Sequence, residues 1–321
     1  MHTIEELLGA GIKAHGRGDL VEATQLYQSA LDLDADNASA HNNLGFVLGQ
    51  QQQWPEALAH LRTALRLNPQ LSMAHSNLGQ LLVATGQAAE GLDHLERAVT
   101  CDPDNSTAWD NLARIRILLG DFEGGEYATI RALKLRPNDP HLLTRLGIAL
   151  AAQKRVAEAL QCYQQALAID GNHSEAWAQL GIIRFLRNDL GSAHEALEIA
   201  IALNPNDTSA LRHLALVSLS LGNREGAIAL FERLLALHPE DEASRLDLAV
   251  IFLSAQQPDI ALAHLALING SLTESNKFRF YQGLALQQNG QPELGNSLLQ
   301  ELAKQDGDAY GEKARKILQT H

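Results

Sequence analysis

The sequence predicts an all-α protein, an α-solenoid of antiparallel helix pairs, on three observations. These are a 34-residue internal period, an apolar content drawn mostly from Leu and Ala, and helical apolar stripes that alternate with turn signals. The period is carried by four grids. Pro69, Pro103, Pro137, Pro205 and Pro239 lie on one of them, with Gly171 in the vacant place. A second runs Gly11, Gly45, Gly79, Ala113, Gly147, Gly181, Ala215, Ala249, Gly283, and a third runs Ala23, Ala57, Gly91, Gly125, Ala159, Ala193, Ala227, Ala261, Gly295. Both are small throughout, as close helix crossings require. The fourth, immediately before the second, is Leu from Leu44 to Leu248. Repeating units that contact only their neighbours make one elongated array, so 321 residues are expected to form a single array over 1–321 instead of two globules.

The units are 4–37, 38–71, 72–105, 106–139, 140–173, 174–207, 208–241, 242–275 and 276–309. Each reads as two helices. Gly18-Asp19 divides the first unit. In 38–71 apolar residues at helical spacing run through AHNNLGFVLG, break at QQQ, and resume in WPEALAHLRTALRL before Asn68-Pro69. Gly86-Gln87, Gly120-Asp121, Gly222-Asn223 and Gly290-Gln291 divide later units, each placing a Gly where a helix ends in a left-handed cap. The prolines stop the second helix because proline lacks the amide and clashes with the preceding turn. Departures gather at the end. Leu234, Ile268 and Leu302 replace a small residue, and Ser271-Leu272-Thr273 replaces the Asp-Pro junction, so the last two units are expected to pack differently. Residues 310–321 are expected to form a polar helix that caps the open end.

The segments A176-W-A-Q-L-G181, Y163-Q-Q-A166 and L203-N-P-N206, recurring at this period, resemble the tetratricopeptide repeat (TPR) family. The resemblance covers nearly the whole chain. It implies a right-handed superhelix whose first helices line an inner groove.

Composition restricts the chemistry. A net charge of −13 provides no basic face for a phosphate backbone, so a nucleic-acid partner is not expected. Cys101 and Cys162 are too few for a disulfide framework or a four-cysteine zinc site. Cys101 aligns with Leu33, Leu67 and Leu135 and is expected to be a small core residue. His41 and His75 occupy equivalent positions, as do His60 and His94, at a repeat spacing of about 10 Å, too wide to share one zinc with bonds of ~2.1 Å. No glycine-rich phosphate loop is present, and the repeats leave no stretch for a separate catalytic domain. The expectation is a non-enzyme without metal or cofactor. The N-terminus shows no charged-then-apolar leader and no stretch is apolar enough to span a membrane, so a cytoplasmic protein is expected.

The resemblance also implies where a partner would lie. In the family, the second, fifth, sixth, ninth and twelfth positions of each first helix tend to face the groove. Asn43, Asn77 and Asn111 occupy the sixth position of consecutive units and resemble an asparagine ladder that binds an extended peptide backbone. An amide suits that task because it offers both donor and acceptor. Arg114 and Arg145, with Asn111, partly resemble the carboxylate clamp of chaperone-binding TPR domains. Ser76, Gln80 and His141 depart from that pattern. In the last third the inward positions turn apolar. Leu216, Leu219, Leu246, Val250 and Leu253 exceed what helix packing needs and are expected to be exposed in the groove, where an amphipathic helix would bury its stripe. The function expected is a protein-interaction scaffold, adaptor or chaperone-like assembly factor. A self-associating scaffold and a TPR subunit of a glycosyltransferase, polysaccharide or secretion complex are the alternatives.

Overall fold

The computed structural model describes residues 2–305 and 307–319. Among these there is no strand; the backbone is helices joined by short turns. Contacts divide the chain into two units, 1–171 and 172–321. The first contains α1 (Ile4–Gly16), α2 (Leu20–Leu33), α3 (Ala38–Gln50), α4 (Trp54–Leu67), α5 (Ser72–Ala84), α6 (Ala88–Cys101), α7 (Ser106–Leu118), α8 (Phe122–Leu135), α9 (Pro140–Ala152) and α10 (Val156–Ile169). The second contains α11 (Ser174–Leu186), α12 (Leu190–Leu203), α13 (Thr208–Ser220), α14 (Arg224–Leu237), α15 (Glu242–Ser254), α16 (Pro258–Leu265), α17 (Asn276–Gln288), α18 (Pro292–Ala303) and α19 (Ala309–Leu318).

Local chemistry starts and stops these helices. Asn37, Asn105, Asp139 and Asp207 cap the first helices of their pairs, each accepting a backbone N–H of the first turn. Asp19, Asp121, Asp189 and Asn223 do the same for second helices. The turn within each pair passes through the left-handed region once per repeat. Glycine supplies it at Gly18, Gly86, Gly120, Gly222 and Gly290, and Gln52, Lys154, Asn188 and Gln256 occupy the same place with φ near 60°.

Helices of one pair pack antiparallel around the small grids. In the α5–α6 pair the two backbones touch: a Cβ on Gly79 would stand 2.7 Å from Gly91 O, and one on Gly91 2.6 Å from Gly79 O. Tyr27, Leu61, Leu95, Tyr163, Leu197 and Phe231 fill the space beside these crossings and are buried.

The end of the second unit departs from the pattern, as its sequence anticipates. The second helix α16 has 8 residues where the other pairs have 12 to 14, and Ser271–Glu274 forms a 3-10 helix in place of the usual junction. Glu242 Oε1 accepts the N–H groups of Asn269 and Gly270 at 2.9 and 2.6 Å, which holds that irregular segment against the start of α15. Helix α19 packs on α18 and α17, with Ala314 buried and Tyr310 against Phe280 and Tyr281. The expected capping helix ran to residue 321; Thr320 and His321 lie outside the described residues.

One core expectation is corrected. Cys101 is half-buried, and its equivalents Leu33 and Leu135 are 56% and 38% exposed. Ile169, Leu203 and Leu237, the last residues of three further second helices, are likewise 46%, 38% and 38% exposed, so this position lies at the edge of the pair. Cys162 is buried, and burial followed by the charge of Glu158 pushes its thiol pKa up, away from a reactive thiolate.

Candidate functional site

In the first unit, α1, α3, α5 and α7 present a concave surface lined by amides. A pocket of about 400 Å³ there is bounded by Asn42, Asn43, Phe46, Asn77, Gln80 and Asn111, among others. The three asparagines singled out by their spacing therefore do come together. Their amides are not all free. Asn77 Nδ2 donates to Asn42 Oδ1 at 2.9 Å and Asn111 Nδ2 donates to Ser76 Oγ at 2.9 Å, each reaching back to the preceding repeat. Asn42 Nδ2 in turn donates to Asn43 Oδ1 at 3.0 Å. Half of the Asn77 and Asn111 amides thus stitches neighbouring repeats together, while the Asn43 oxygen is held by Asn42 within its own repeat. The other half remains for a ligand: Oδ1 of Asn77 and Asn111 as acceptors, Nδ2 of Asn43 as a donor.

The sixth-position spacing does not by itself show this division of labour. It depends on the fifth position, where Asn42 and Ser76 are the acceptors. Both are buried polar residues, and that is the signal a sequence reader could have followed, since polar groups at packed positions need partners.

The arginines sit at one end of this surface. Arg114 Nη2 donates to Gln80 Oε1 at 2.6 Å, so its partner is neutral. It is exposed by area, yet desolvation of the guanidinium, followed by the repulsion of Arg145, lowers its pKa from the ordinary arginine value. Arg145 is instead an ion-pair residue, with Nε 2.7 Å from Asp110 Oδ1. Arg136 is 2.8 Å from Asp139 and 3.9 Å from Asp110. Of the two arginines in the clamp-like constellation, Arg145 is ion-paired to Asp110, and Arg114 feels the same carboxylate through space but makes no ion pair with it among the described residues. Arg116, at a position where the family has an aromatic, stays mostly covered and pairs with Glu96 at 2.7 Å, and Arg184 donates to the Ser192 carbonyl at 3.2 Å.

The apolar surface expected in the second unit is smaller than its sequence suggests. Leu246 and Leu253 are 1% and 6% exposed and share a packed cluster with Leu265, Ile268 and Phe278. They are core residues, because Leu265 at the end of the short α16, Ile268 in the irregular segment and Phe278 of α17 all pack into the cluster that contains them. Leu216, Leu219 and Val250 pack half-buried against the same cluster. The i, i+4, i+7 spacing identified a shared face correctly but could not tell which neighbour covers it.

The histidines pair within repeats. His41 Nδ1 lies 2.8 Å from His60 Nδ1, and His75 Nδ1 lies 2.9 Å from His94 Nδ1. His41 Nε2 donates to Ala35 O and His75 Nε2 to Pro69 O, so each leaves Nδ1 as the acceptor of the partner's N–H. Trp109 makes the equivalent bond to Pro103 O at 2.8 Å. The fourth residue of a first helix thereby ties that helix to the junction before it. Burial lowers the pKa of His60, His75 and His94, with the neighbouring imidazole adding to the effect at His60 and His94. No helix among the described residues is long and apolar enough to cross a membrane.

Comparison with known proteins accords with this geometry. Models of the tetratricopeptide repeat match residues 15–52, 36–104 and 117–183. The cilia and flagella-associated protein 70 middle TPR-like domain matches residues 154–277. No curated protein matches the chain. Among solved structures, the APC/C hetero-tetramer Cut9-Hcn1 superposes with a TM-score of 0.66 at 16% identity over 92% of this chain, which spans 55% of that chain's length. A tetratricopeptide repeat protein from Parabacteroides merdae ATCC 43184 gives 0.63 at 16% identity, covering 78% of this chain and 98% of its own. A human IFIT1 dimer with m7Gppp-AAAA gives 0.63 at 15% identity, covering 99% of this chain and 80% of its own. At such identities the likeness is one of fold. TPR-repeat proteins are characteristically non-catalytic scaffolds. With its recurrent helix pairs and these matches, the chain belongs to the tetratricopeptide-repeat family, as an α-solenoid protein of roughly nine tandem repeats.

Proposed function

We propose that the protein is a non-catalytic interaction scaffold, a cytoplasmic adaptor or assembly factor, whose first-unit groove holds an extended peptide by its backbone. The observation that carries this reading is the row of amides at Asn43, Asn77 and Asn111 along one concave pocket. An extended backbone presents N–H and C=O groups in alternation, and a row of oriented acceptors with a donor complements it without regard to side chains. Inter-repeat bonds from Asn77 and Asn111 hold two of the amides in fixed orientation, which reduces the entropy lost on binding. Arg114, whose hydrogen-bond partner is the neutral Gln80, supplies a cation at the end of the row. The net charge of −13 favours a protein partner over a nucleic acid.

The test is selection of linear peptides from a random display library, followed by affinity measurement on variants. Asn43→Ala, Asn77→Ala and Asn111→Ala together should weaken the selected peptides more than tenfold, from about 0.5 to 1.5 kcal/mol per lost hydrogen bond. Ser76→Ala removes the bond that orients Asn111 but leaves its amide in the groove, so it should weaken binding less than Asn111→Ala does. If the library yields no binder, or the triple variant binds as wild type does, the reading fails.

A further inference from the structure

Gly49 is a residue that the fold does not need. It stands at the twelfth position of α3, where the equivalent residue is Val83, Ile117, Phe185, Leu219 or Leu253 in five other repeats. His15, Ala151 and Gln287 hold the place in the remaining three. Its backbone is helical, so no positive φ calls for glycine. Packing does not call for it either. A Cβ on Gly49 would meet Leu81 Cδ1 at 3.8 Å and Ala57 Cβ at 3.9 Å, both ordinary contacts. Gly45, one turn earlier, is different: its Cβ would lie 2.8 Å from Leu61 Cγ and 3.1 Å from Ala57 O, so a close crossing explains it. An alanine in the second helix does not impose a small residue at the twelfth position, since Ala227 and Ala261 belong to repeats that carry Leu219 and Leu253 there.

The missing side chain leaves a pocket. A cavity of about 240 Å³ opens beside Gly49, with Gly45, Leu61 and Leu81 among its apolar lining and Phe46 at its side. Apolar protein cavities of roughly 150 Å³ accept a benzene ring, so there is room for one large apolar side chain. The same cavity is bordered by Asn77 and Gln80, members of the amide surface, and by Arg114.

We infer that this pocket is a side-chain socket that makes the groove selective for a peptide carrying a large aliphatic or aromatic residue next to an acidic one. The inference rests on the peptide reading above and adds to it a sequence preference. The geometry gives both halves of the preference. A backbone held by Asn77 would place its neighbouring side chain at the apolar cavity, and Arg114 on the cavity's border offers a guanidinium whose hydrogen-bond partner is neutral Gln80, while nearby Asp110, which acts on it through space, is ion-paired to Arg145. An Asp or Glu side chain within one or two residues of the apolar one is the complement of that cation.

The experiment uses the full chain and a random linear-peptide display library, read by sequencing the selected pool and by fluorescence anisotropy of individual labelled peptides. Wild type should enrich peptides with Leu, Ile, Met or Phe within two residues of Asp or Glu. Gly49→Leu fills the socket with the side chain that other repeats carry there. It should fold with unchanged or higher melting temperature, weaken those peptides at least tenfold, and erase the apolar preference in a fresh selection. Gly49→Ala should have a smaller effect in the same direction. Arg114→Gln should erase the acidic preference and keep the apolar one. The socket is overturned if Gly49→Leu keeps both affinity and preference, or if wild type selects peptides with no apolar position. In that second case the peptide-groove reading stands without its socket. A pool whose binders are unaffected by the triple asparagine variant instead removes the groove reading itself.

Discussion

Replacing glycine by alanine at one groove-facing and one pair-crossing position of consecutive first helices should change stability in opposite directions. At Gly49 the new methyl would find its nearest neighbours at 3.8 and 3.9 Å, so no atom has to move. Glycine inside a helix costs about 0.5–1 kcal/mol relative to alanine, and Gly49→Ala should recover that amount. At Gly79 the methyl would lie 2.7 Å from both Gly91 O and Leu95 Cγ and 3.1 Å from Leu95 N. Leu95 could rotate, but the carbonyl and amide belong to the α6 backbone and cannot move without parting the helix pair. Overpacking of this kind costs about 1–3 kcal/mol, which exceeds the helix-propensity gain and leaves a net loss of about 1–2 kcal/mol. Urea unfolding followed by circular dichroism measures the difference. Native-state hydrogen exchange of α3–α6 should accompany it, because repeat arrays unfold less cooperatively than globular domains and a local loss is diluted in a global signal. A Gly79→Ala protein as stable as wild type, or a Gly49→Ala protein less stable than wild type, would refute the packing argument.

Two other outcomes follow from the turns and the histidines. Lys154→Gly and Gln256→Gly should each raise stability by about 0.5–1 kcal/mol, since an L-residue in the left-handed region costs about 1–2 kcal/mol and glycine's extra chain entropy offsets part of it. Asn188→Gly should gain less because asparagine tolerates that conformation. An unchanged or lower melting temperature in the first two contradicts the assignment of strain. For pH, His60, His75, His94 and His264 have folded-state pKa values below the ordinary imidazole value, with burial as the leading cause. The unfolded chain therefore binds their protons at a higher pH than the folded one, and stability present above about pH 6.5 should be lost as pH falls through and below it. A melting temperature that stays flat between about pH 7.5 and 5.5 would contradict this. His60→Gln with His94→Gln should flatten the slope.

Helix positions were legible in the sequence because the signals for them are local. A cap such as Asn37 or Asp121, a left-handed glycine such as Gly120, and an apolar stripe of helical period all act within a few residues of themselves. The grids of small residues likewise announced the crossings of paired helices, whose partners lie a short turn away. Proximity of Asn43, Asn77 and Asn111 followed from the same period. The rest depends on contacts between side chains of different repeats or different helices, where spacing names a face without naming what meets it. Leu246 and Leu253 keep the spacing of an exposed stripe, yet Phe278 and Ile268 share their cluster and bury them. Asn77 and Asn111 spend their donors on Asn42 and Ser76, a bond that depends on side-chain reach across a repeat junction. His41 meets His60 across the helix pair, a contact that their sequence positions, on different helices of one repeat, do not reveal. Gly49 departs from the large residue at its position in five other repeats, but the sequence does not say whether packing demands a glycine there. Its neighbours stand nearly 4 Å from where its Cβ would be, and that distance separates a glycine that packing demands from one that leaves room for a guest.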